Sequence, residues 1–491
     1  MKKYAKACLV VAISVMFVVD AFAQVGTQFQ AFLNRVDAAD ESLHSTIIDS
    51  FMATIPSFPL VEQDTIACFL YRGEGDSVQV RLERGYLPRL DLMRLHNTDL
   101  WYNFQNYKSD ALIAYQFVVN NQLKLDPINP NVYFSGNWTV SVLTMPAYQD
   151  PPEIEYYPDI PHGNVLDMDF NSITLEKTLA IKIYTPPFYN ANFEEGYPLV
   201  IFNGGRGYTE YLGAINILDY LISYKLIQPI IAVFVTPANN NAEYSGADVT
   251  KHAAFLVDEL LIYINTRYKT INEPENRAII GLSVSGLFAA YMAYTYPESF
   301  GLCAAQSPAF WIWENTNPLY EDMMTKPKKN IKFYLSCGIY EPGAITRFVI
   351  PLKDSLLALG YDVKWDQWHE GHQGASFRAH IDDALEFFFP GDSITAVETE
   401  ASMPTAFRLE QNYPNPFNPS TTIGFSLPNI SKVTLKIYDL LGREVATLLD
   451  APYPAGNHQI IWDAKNQATG VYMVTMHAGD FRQTRKIVLM K

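Results

Sequence analysis

Apolar residues recur at spacings of three and four near the start of the chain: Phe29, Phe32, Leu33 and Val36, then Ile47, Ile48 and Phe51. That period predicts amphipathic helices with one buried face. The pattern then shifts to short runs bounded by turn residues, Thr65–Tyr71, Ser77–Leu82 and Ala111–Val119, which read as strands of a small β-sandwich. From Leu199 apolar strand-like runs alternate with helical segments: Leu199–Phe202, Pro229–Val235, Arg277–Gly281, Leu302–Gln306, Ile331–Cys337 and Val363–Trp368. Between them Asp248–Tyr268 places Phe255, Leu256, Leu260, Leu261 and Ile264 on one helix face. Strands alternating with helices predict a mostly parallel sheet covered on both sides, with chemistry in the loops at its carboxyl edge. The last stretch is strand only, and Val433, Leu435 and Ile437 alternate with Thr434, Lys436 and Tyr438.

Two segments interrupt these patterns. Residues 146–163 are rich in proline and acidic residues, which excludes a helix or a central strand. Residues 391–405 are small, polar and acidic, as an exposed connector should be. The resulting plan is a leader over 1–23, a helical segment plus sandwich over 24–145, a linker over 146–163, an α/β domain over 164–390, a linker over 391–405 and a second sandwich over 406–491. The leader has Lys2, Lys3 and Lys6, an apolar run from Ala7 to Val19 and the ending Asp20-Ala-Phe-Ala. This is the pattern of a secretory signal peptide cut after Ala23, since the run falls short of the roughly 20 residues a spanning helix needs.

Composition narrows the function classes. A formal net charge of −16 argues against nucleic acid and against anionic membrane surfaces. Beyond the leader only Cys68, Cys303 and Cys337 are left, too few for a disulfide scaffold. Cys303 and Cys337 lie on apolar strand-like runs and read as buried thiols, with a disulfide open if their strands are neighbours. No Cys/His spacing suggests zinc, and the expected chemistry needs no metal or cofactor.

That chemistry centres on Ser283 in Gly281-Leu-Ser-Val-Ser-Gly, entered by the apolar strand Ala278-Ile-Ile and left by an apolar helix that Pro297 stops. A nucleophile elbow requires this strand–turn–helix context, with small residues two before and two after the serine. Gly281 meets the rule, and Ser285 stands at the second position. A serine hydroxyl needs a general base, and in this architecture the acid and then the histidine follow it in the chain. His372 sits in the loop after the last strand-like run and is preferred over His369, which is too close to the strand, and His380, which falls in a helix. Glu341, just past the strand ending at Cys337, is the first choice of acid, with Asp354 and Asp366 open. The oxyanion donors are expected to be the N–H of Val284 and the glycines of Phe202-Asn-Gly-Gly-Arg, Gly204 and Gly205. Arg206 in that loop, and Trp311 and Trp313 in Ser307-Pro-Ala-Phe-Trp-Ile-Trp, are expected substrate contacts, although core packing fits the tryptophans equally.

With these residues assembled, residues 40 to 390 resemble the enterochelin esterase family. The resemblance rests on Cys68-Phe-Leu-Tyr-Arg-Gly, Asp99-Leu-Trp-Tyr, Tyr115-Gln-Phe and Leu125-Asp-Pro-Ile-Asn-Pro in the amino-terminal part. In the catalytic part it rests on Gly281-Leu-Ser, Gln306-Ser-Pro-Ala-Phe-Trp, Gly338-Ile-Tyr-Glu and Glu370-Gly-His. It implies an α/β-hydrolase core flanked by an N-terminal Ig-like β-sandwich and a C-terminal β-sandwich. It also implies ester hydrolysis with Ser283 as nucleophile, His372 as base and Glu341 as acid. The family usually has glycine at the position of Ser285 and often an acidic residue at that of Asn203. The tail, Phe407-Arg-Leu-Glu-Gln-Asn-Tyr-Pro-Asn-Pro-Phe-Asn-Pro with Lys436-Ile-Tyr-Asp-Leu-Leu-Gly-Arg-Glu-Val and Gly470-Val-Tyr, resembles the type IX secretion sorting domain. That resemblance implies the type IX machinery as a partner and export to the outer surface or the medium.

The expectation is therefore a secreted serine esterase acting on catecholate siderophore lactones or on acetyl or feruloyl groups of polysaccharides. The alternative is a catalytically inactive surface protein that binds carbohydrate or another ligand on a hydrolase fold.

Overall fold

The computed structural model describes residues 27–391 and 406–490, apart from 136–137, 315, 342, 429–430, 454–455 and 480. The expected leader lies outside the described residues, as does the second linker beyond Gly391. The chain divides into two compact units, one holding residues up to 149 together with 369–371, the other holding 150–368 and 372–491.

In the first unit the predicted helices run over Thr27–Asp37 and His44–Met52. They bury Phe29, Phe32, Val36, Ile48 and Phe51 against Ile66, Cys68, Leu70 and Phe104, with the Phe32 and Phe51 rings stacked at 4.1 Å. Two antiparallel sheets follow. One joins Leu60–Glu62, Ile66–Arg72, Leu100–Asn106 and Met93–Arg94; the other is built around Val78–Leu82, Leu112–Val119 and Trp138–Thr144.

The second unit holds an eight-stranded sheet. Its strands are β1 (Asn164–Ser172), β2 (Lys177–Thr185), β3 (Leu199–Asn203), β4 (Ile231–Thr236), β5 (Arg277–Leu282), β6 (Leu302–Gln306), β7 (Lys332–Gly338) and β8 (Asp362–Trp368). Their spatial order is β1-β2-β4-β3-β5-β6-β7-β8. Only the β1–β2 and β2–β4 pairings are antiparallel; all others are parallel. The central strands β3, β5, β6 and β7 are mostly apolar and buried along nearly their whole length because both faces are covered. Ile201, Val233, Ile279 and Cys303 face one core with Leu260 and Phe288, while Val200, Phe234, Ala278 and Ile280 face the other with Ile217 and Leu385. The helix predicted over Asp248–Tyr268 is α-helical over Val249–Ala254 and Leu261–Arg267, with a π-helical turn over Phe255–Leu260 between them. Four helices matter for the site: α1 (Gly205–Glu210) after β3, α2 (Ser283–Thr295) after β5, α3 (Gly343–Ala358) after β7 and α4 (Ile381–Phe388) near the end.

β6 and β7 are neighbours, as a disulfide would require, but the register pairs Cys303 with Phe333 and leaves Cys337 four residues farther along. Both thiols are free and buried, and burial pushes their pKa values up. The register forbids the bridge.

The C-terminal part is a sandwich of a three-stranded and a four-stranded antiparallel sheet, with Val433, Leu435 and Ile437 fully buried. Among the described residues no helix is long and apolar enough to cross a membrane.

Candidate active site

β5 delivers Ser283 at the carboxyl edge of the sheet, and α2 begins on that residue. The turn is so tight that Ser283 has φ 53°, in the left-handed region that costs a non-glycine residue about 1–3 kcal/mol. Strand and helix pass so close that a Cβ on Gly281 would lie 2.1 Å from the carbonyl oxygen of Ser285. Ser285 fits where glycine is usual because its hydroxyl closes the turn. It accepts a bond from the Leu282 N–H (3.0 Å) and donates to the Leu282 carbonyl (2.8 Å).

The loop after β8 brings His372 to the serine, with Nε2 2.9 Å from Ser283 Oγ. Its Nδ1 lies 3.1 Å from Oε2 of Glu341, which stands on the loop after β7. An ionised carboxylate only accepts, so this contact assigns the proton to Nδ1 and leaves Nε2 as the acceptor of the serine proton. Glu341 and His372 are both buried, and the imidazole edge is covered by Phe377 at 5.1 Å. The second oxygen of Glu341 takes the Gly338 N–H (3.0 Å) and the hydroxyl of Ser307. The structure thus brings Ser283, His372 and Glu341 into one line. The competing residues lie apart from it: Asp354 pairs with Lys353, and Asp366 is nearest Lys364. His369, in the first unit, has Nδ1 2.6 Å from Asp110, and His380 stacks on Trp368 with Nδ1 3.1 Å from Asp383.

The oxyanion loop needs one correction. Gly204 has φ 95° and turns the chain, but its N–H donates to the Val235 carbonyl at 3.0 Å and is therefore not available to a substrate. The N–H of Arg206 is likewise taken, by Thr236 Oγ1 at 2.9 Å. Gly205 lies between them as the first residue of α1, packed so tightly on β4 that a Cβ would sit 2.6 Å from the Phe234 backbone. Val284 occupies the first turn of α2, where N–H groups have no partner within the helix. Gly205 and Val284 are thus the backbone donors that fit the role.

Two of the three expected substrate contacts also change. The Arg206 guanidinium pairs with Glu210 at 2.8 Å and borders a surface depression with Asp167, Lys182 and Thr236, which includes neither Ser283 nor His372. Trp313 is a core residue, 7% exposed, with its indole N–H donated to the Ser245 carbonyl at 2.8 Å. Trp311 is 48% exposed and is the one of the pair that a ligand can reach.

Ser307 was not singled out in the sequence. A Ser-Pro pair after a strand looks like ordinary turn chemistry, and only the fold carries its hydroxyl to Glu341.

Comparison with known proteins bears on the family domains and the fold. Residues 172–344 match the family model described as "Putative esterase", and residues 411–490 match that of the secretion system C-terminal sorting domain. The chain carries an esterase-family domain and a C-terminal sorting domain. The esterase match takes in Ser283 and Glu341 and stops before His372. An endo-1,4-beta-xylanase/feruloyl esterase of Xylanibacter ruminicola is 26% identical over 251 residues, 49% of this chain and 33% of that protein. An iron(III) salmochelin esterase of Escherichia coli is 22% identical over 284 residues, 53% of this chain and 66% of that protein. The chain thus spans a third of the first relative and just under two thirds of the second. The crystal structure of an enterobactin esterase from Shigella flexneri superposes with a TM-score of 0.57 at 20% identity, covering 66% of this chain and 94% of that one. At that identity the likeness establishes the shared α/β-hydrolase fold. The sorting domain marks the protein for secretion or attachment to the cell surface.

Proposed function

We propose that the protein is an exported serine esterase in which Ser283 attacks the ester carbonyl and His372 takes its proton through Nε2. The Glu341 carboxylate holds the imidazole by Nδ1, and the negative charge that develops on the carbonyl oxygen meets the N–H groups of Gly205 and Val284. His372 then returns the proton to the leaving alcohol, and a water activated by the same nitrogen releases the acid from the acyl-enzyme. The observation that carries this reading is the contact of Ser283 Oγ, in a strained left-handed turn, with a histidine whose other nitrogen meets a buried carboxylate.

The proposed substrate is a feruloyl ester outside the cell. Export through the sorting domain and the feruloyl esterase among the relatives support it, and the exposed Trp311 offers an aromatic face for such a group. The domain limits proposed from the sequence, 164–390 for the catalytic part and 406–491 for the tail, define the pieces to express.

Fluorophosphonate labelling tests the mechanism: the intact protein takes up one label and Ser283→Ala takes up none. Labelling that survives Ser283→Ala would overturn the nucleophile. A panel of feruloylated sugar, acetylated xylan and catecholate lactone tests the substrate, and preference for the lactone would replace the feruloyl reading with a siderophore one.

A further inference from the structure

A second serine in a left-handed conformation stands beside the triad, where no elbow requires it. Ser307, the residue after β6, has φ 45° and is fully buried. Such a conformation persists only where the surroundings impose it. Here the Ser307 N–H donates to the Ser336 carbonyl on β7 at 2.8 Å, which aims the side chain at the loop carrying Glu341. Its hydroxyl then donates to Glu341 Oε1, the oxygen that also accepts the Gly338 N–H. Two donors on Oε1 fix the rotation of the carboxylate and leave Oε2 facing His372 Nδ1. Two residues further on, the Ala309 N–H donates to the carbonyl of Ser283 itself at 3.0 Å. Ser307–Ala309 is therefore a strap that bonds the acid at one end and the nucleophile's own residue at the other.

We propose that Ser307 is a positioning residue of the triad, which acts by holding the Glu341 carboxylate in register with His372 and Ser283. The inference rests on the serine-esterase reading. Removing the hydroxyl leaves Oε1 with the single Gly338 donor, about which the carboxylate can swing away from the imidazole. The neighbours Ala309, Ile345 and Val349 pack together there and have no side-chain donor, and the Cys337 thiol beside them is only a weak one.

Ser307→Gly separates the hydroxyl from the backbone, because glycine adopts the left-handed conformation without strain. The expected result with a nitrophenyl ester is a kcat lower by roughly 10- to 100-fold, with KM within about twofold and Tm near that of the parent. In a Glu341→Ala background the same change should cost no more than about twofold, since the residue it positions is gone. The low-field proton resonance of His372 Nδ1–H reads the His372–Glu341 contact without turnover, and Ser307→Gly should shift or broaden it. Unchanged kcat with an unshifted resonance would overturn the proposal, as would equal losses in the two backgrounds. Hydrolysis that persists in Ser283→Ala would instead defeat the serine-nucleophile reading. In that case the resonance still decides whether Ser307 holds Glu341.

Discussion

Two glutamate–imidazole contacts are buried in the α/β domain, and they differ in what the ring nitrogens meet. In Glu341–His372 that nitrogen meets the Ser283 hydroxyl at 2.9 Å. In Glu243–His252 the Nδ1–Oε2 distance is 2.9 Å and both side chains are fully buried, but the ring is enclosed by Tyr244, Phe255 and Phe288. Neither nitrogen of His252 makes a hydrogen bond among the described residues, and Oε2 of Glu243 makes none either, so the 2.9 Å approach is a close contact without hydrogen-bond geometry. Burial holds the His252 pKa below its ordinary value. Burial raises Glu243, but the His252 contact, a backbone N–H from Asn239 and nearby Lys177 outweigh it and keep the carboxylate ionised. A buried acid–histidine contact is thus no mark of a site by itself. What separates the two is whether the second nitrogen reaches a nucleophile at the carboxyl edge of the sheet.

Mutating the two histidines should break the symmetry most sharply. His372→Ala is expected to lower kcat by about 10⁴-fold or more, whereas His252→Leu should leave kcat within a few-fold, both measured by ester hydrolysis. The acids come next. Glu341→Gln should cost about 10³- to 10⁴-fold by favouring the wrong tautomer, while Glu243→Gln should act on Tm rather than on rate. A large loss of kcat from either residue of the Glu243 pair, at unchanged Tm, would end the distinction.

Stability should sharpen the comparison from the other side. His252 has a folded pKa below the unfolded value of about 6.5, so the unfolded chain binds the proton more readily. Stability from this group is therefore present above about pH 6.5 and is lost as the pH falls below it. Thermal unfolding between pH 7 and 5 should show a Tm that falls with pH, and the fall should be shallower in His252→Leu.

A last test concerns the start of α4, where His380 meets Asp383 at 3.1 Å. Asp382, beside Asp383, is pushed up to about 8 by burial and by its neighbour's charge, and one of its oxygens is buried without a partner. The folded state here binds the proton more tightly than the unfolded chain, so stability from this carboxyl declines as the pH rises from about 4 to about 8. Asp382→Asn should raise Tm at pH 8 and change it little at pH 5, a difference that calorimetry can read. Equal shifts at the two pH values would show that Asp382 is not protonated in the fold.

Much of the site was legible beforehand because its parts follow local rules. Gly281-Leu-Ser lies between an apolar strand and an apolar helix, the context that a nucleophile elbow requires. His372 and Glu341 followed from chain order and loop position. The oxyanion glycines were half legible. Gly204 and Gly205 are adjacent in sequence, but only the β3–β4 pairing decides that the Gly204 N–H is spent on Val235. Trp311 and Trp313 differ in the same way. Two residues apart in a short helical turn, one reaches solvent and the other donates to Ser245, a distinction no local pattern encodes.

The sequence by itself determined the order of elements, the doubly covered sheet, the elbow at Ser283, the histidine loop and the sorting tail. These rest on periodicity and short-range sterics, which neighbours along the chain carry. Only the tertiary structure decided the register that parts Cys303 from Cys337, the Val235 carbonyl that takes the Gly204 N–H, and the strap from Ser307 to Glu341. Those depend on where one strand's hydrogen bonds end and the next begins. Hydrogen bonds act over about 3 Å, between residues that the chain keeps tens of positions apart.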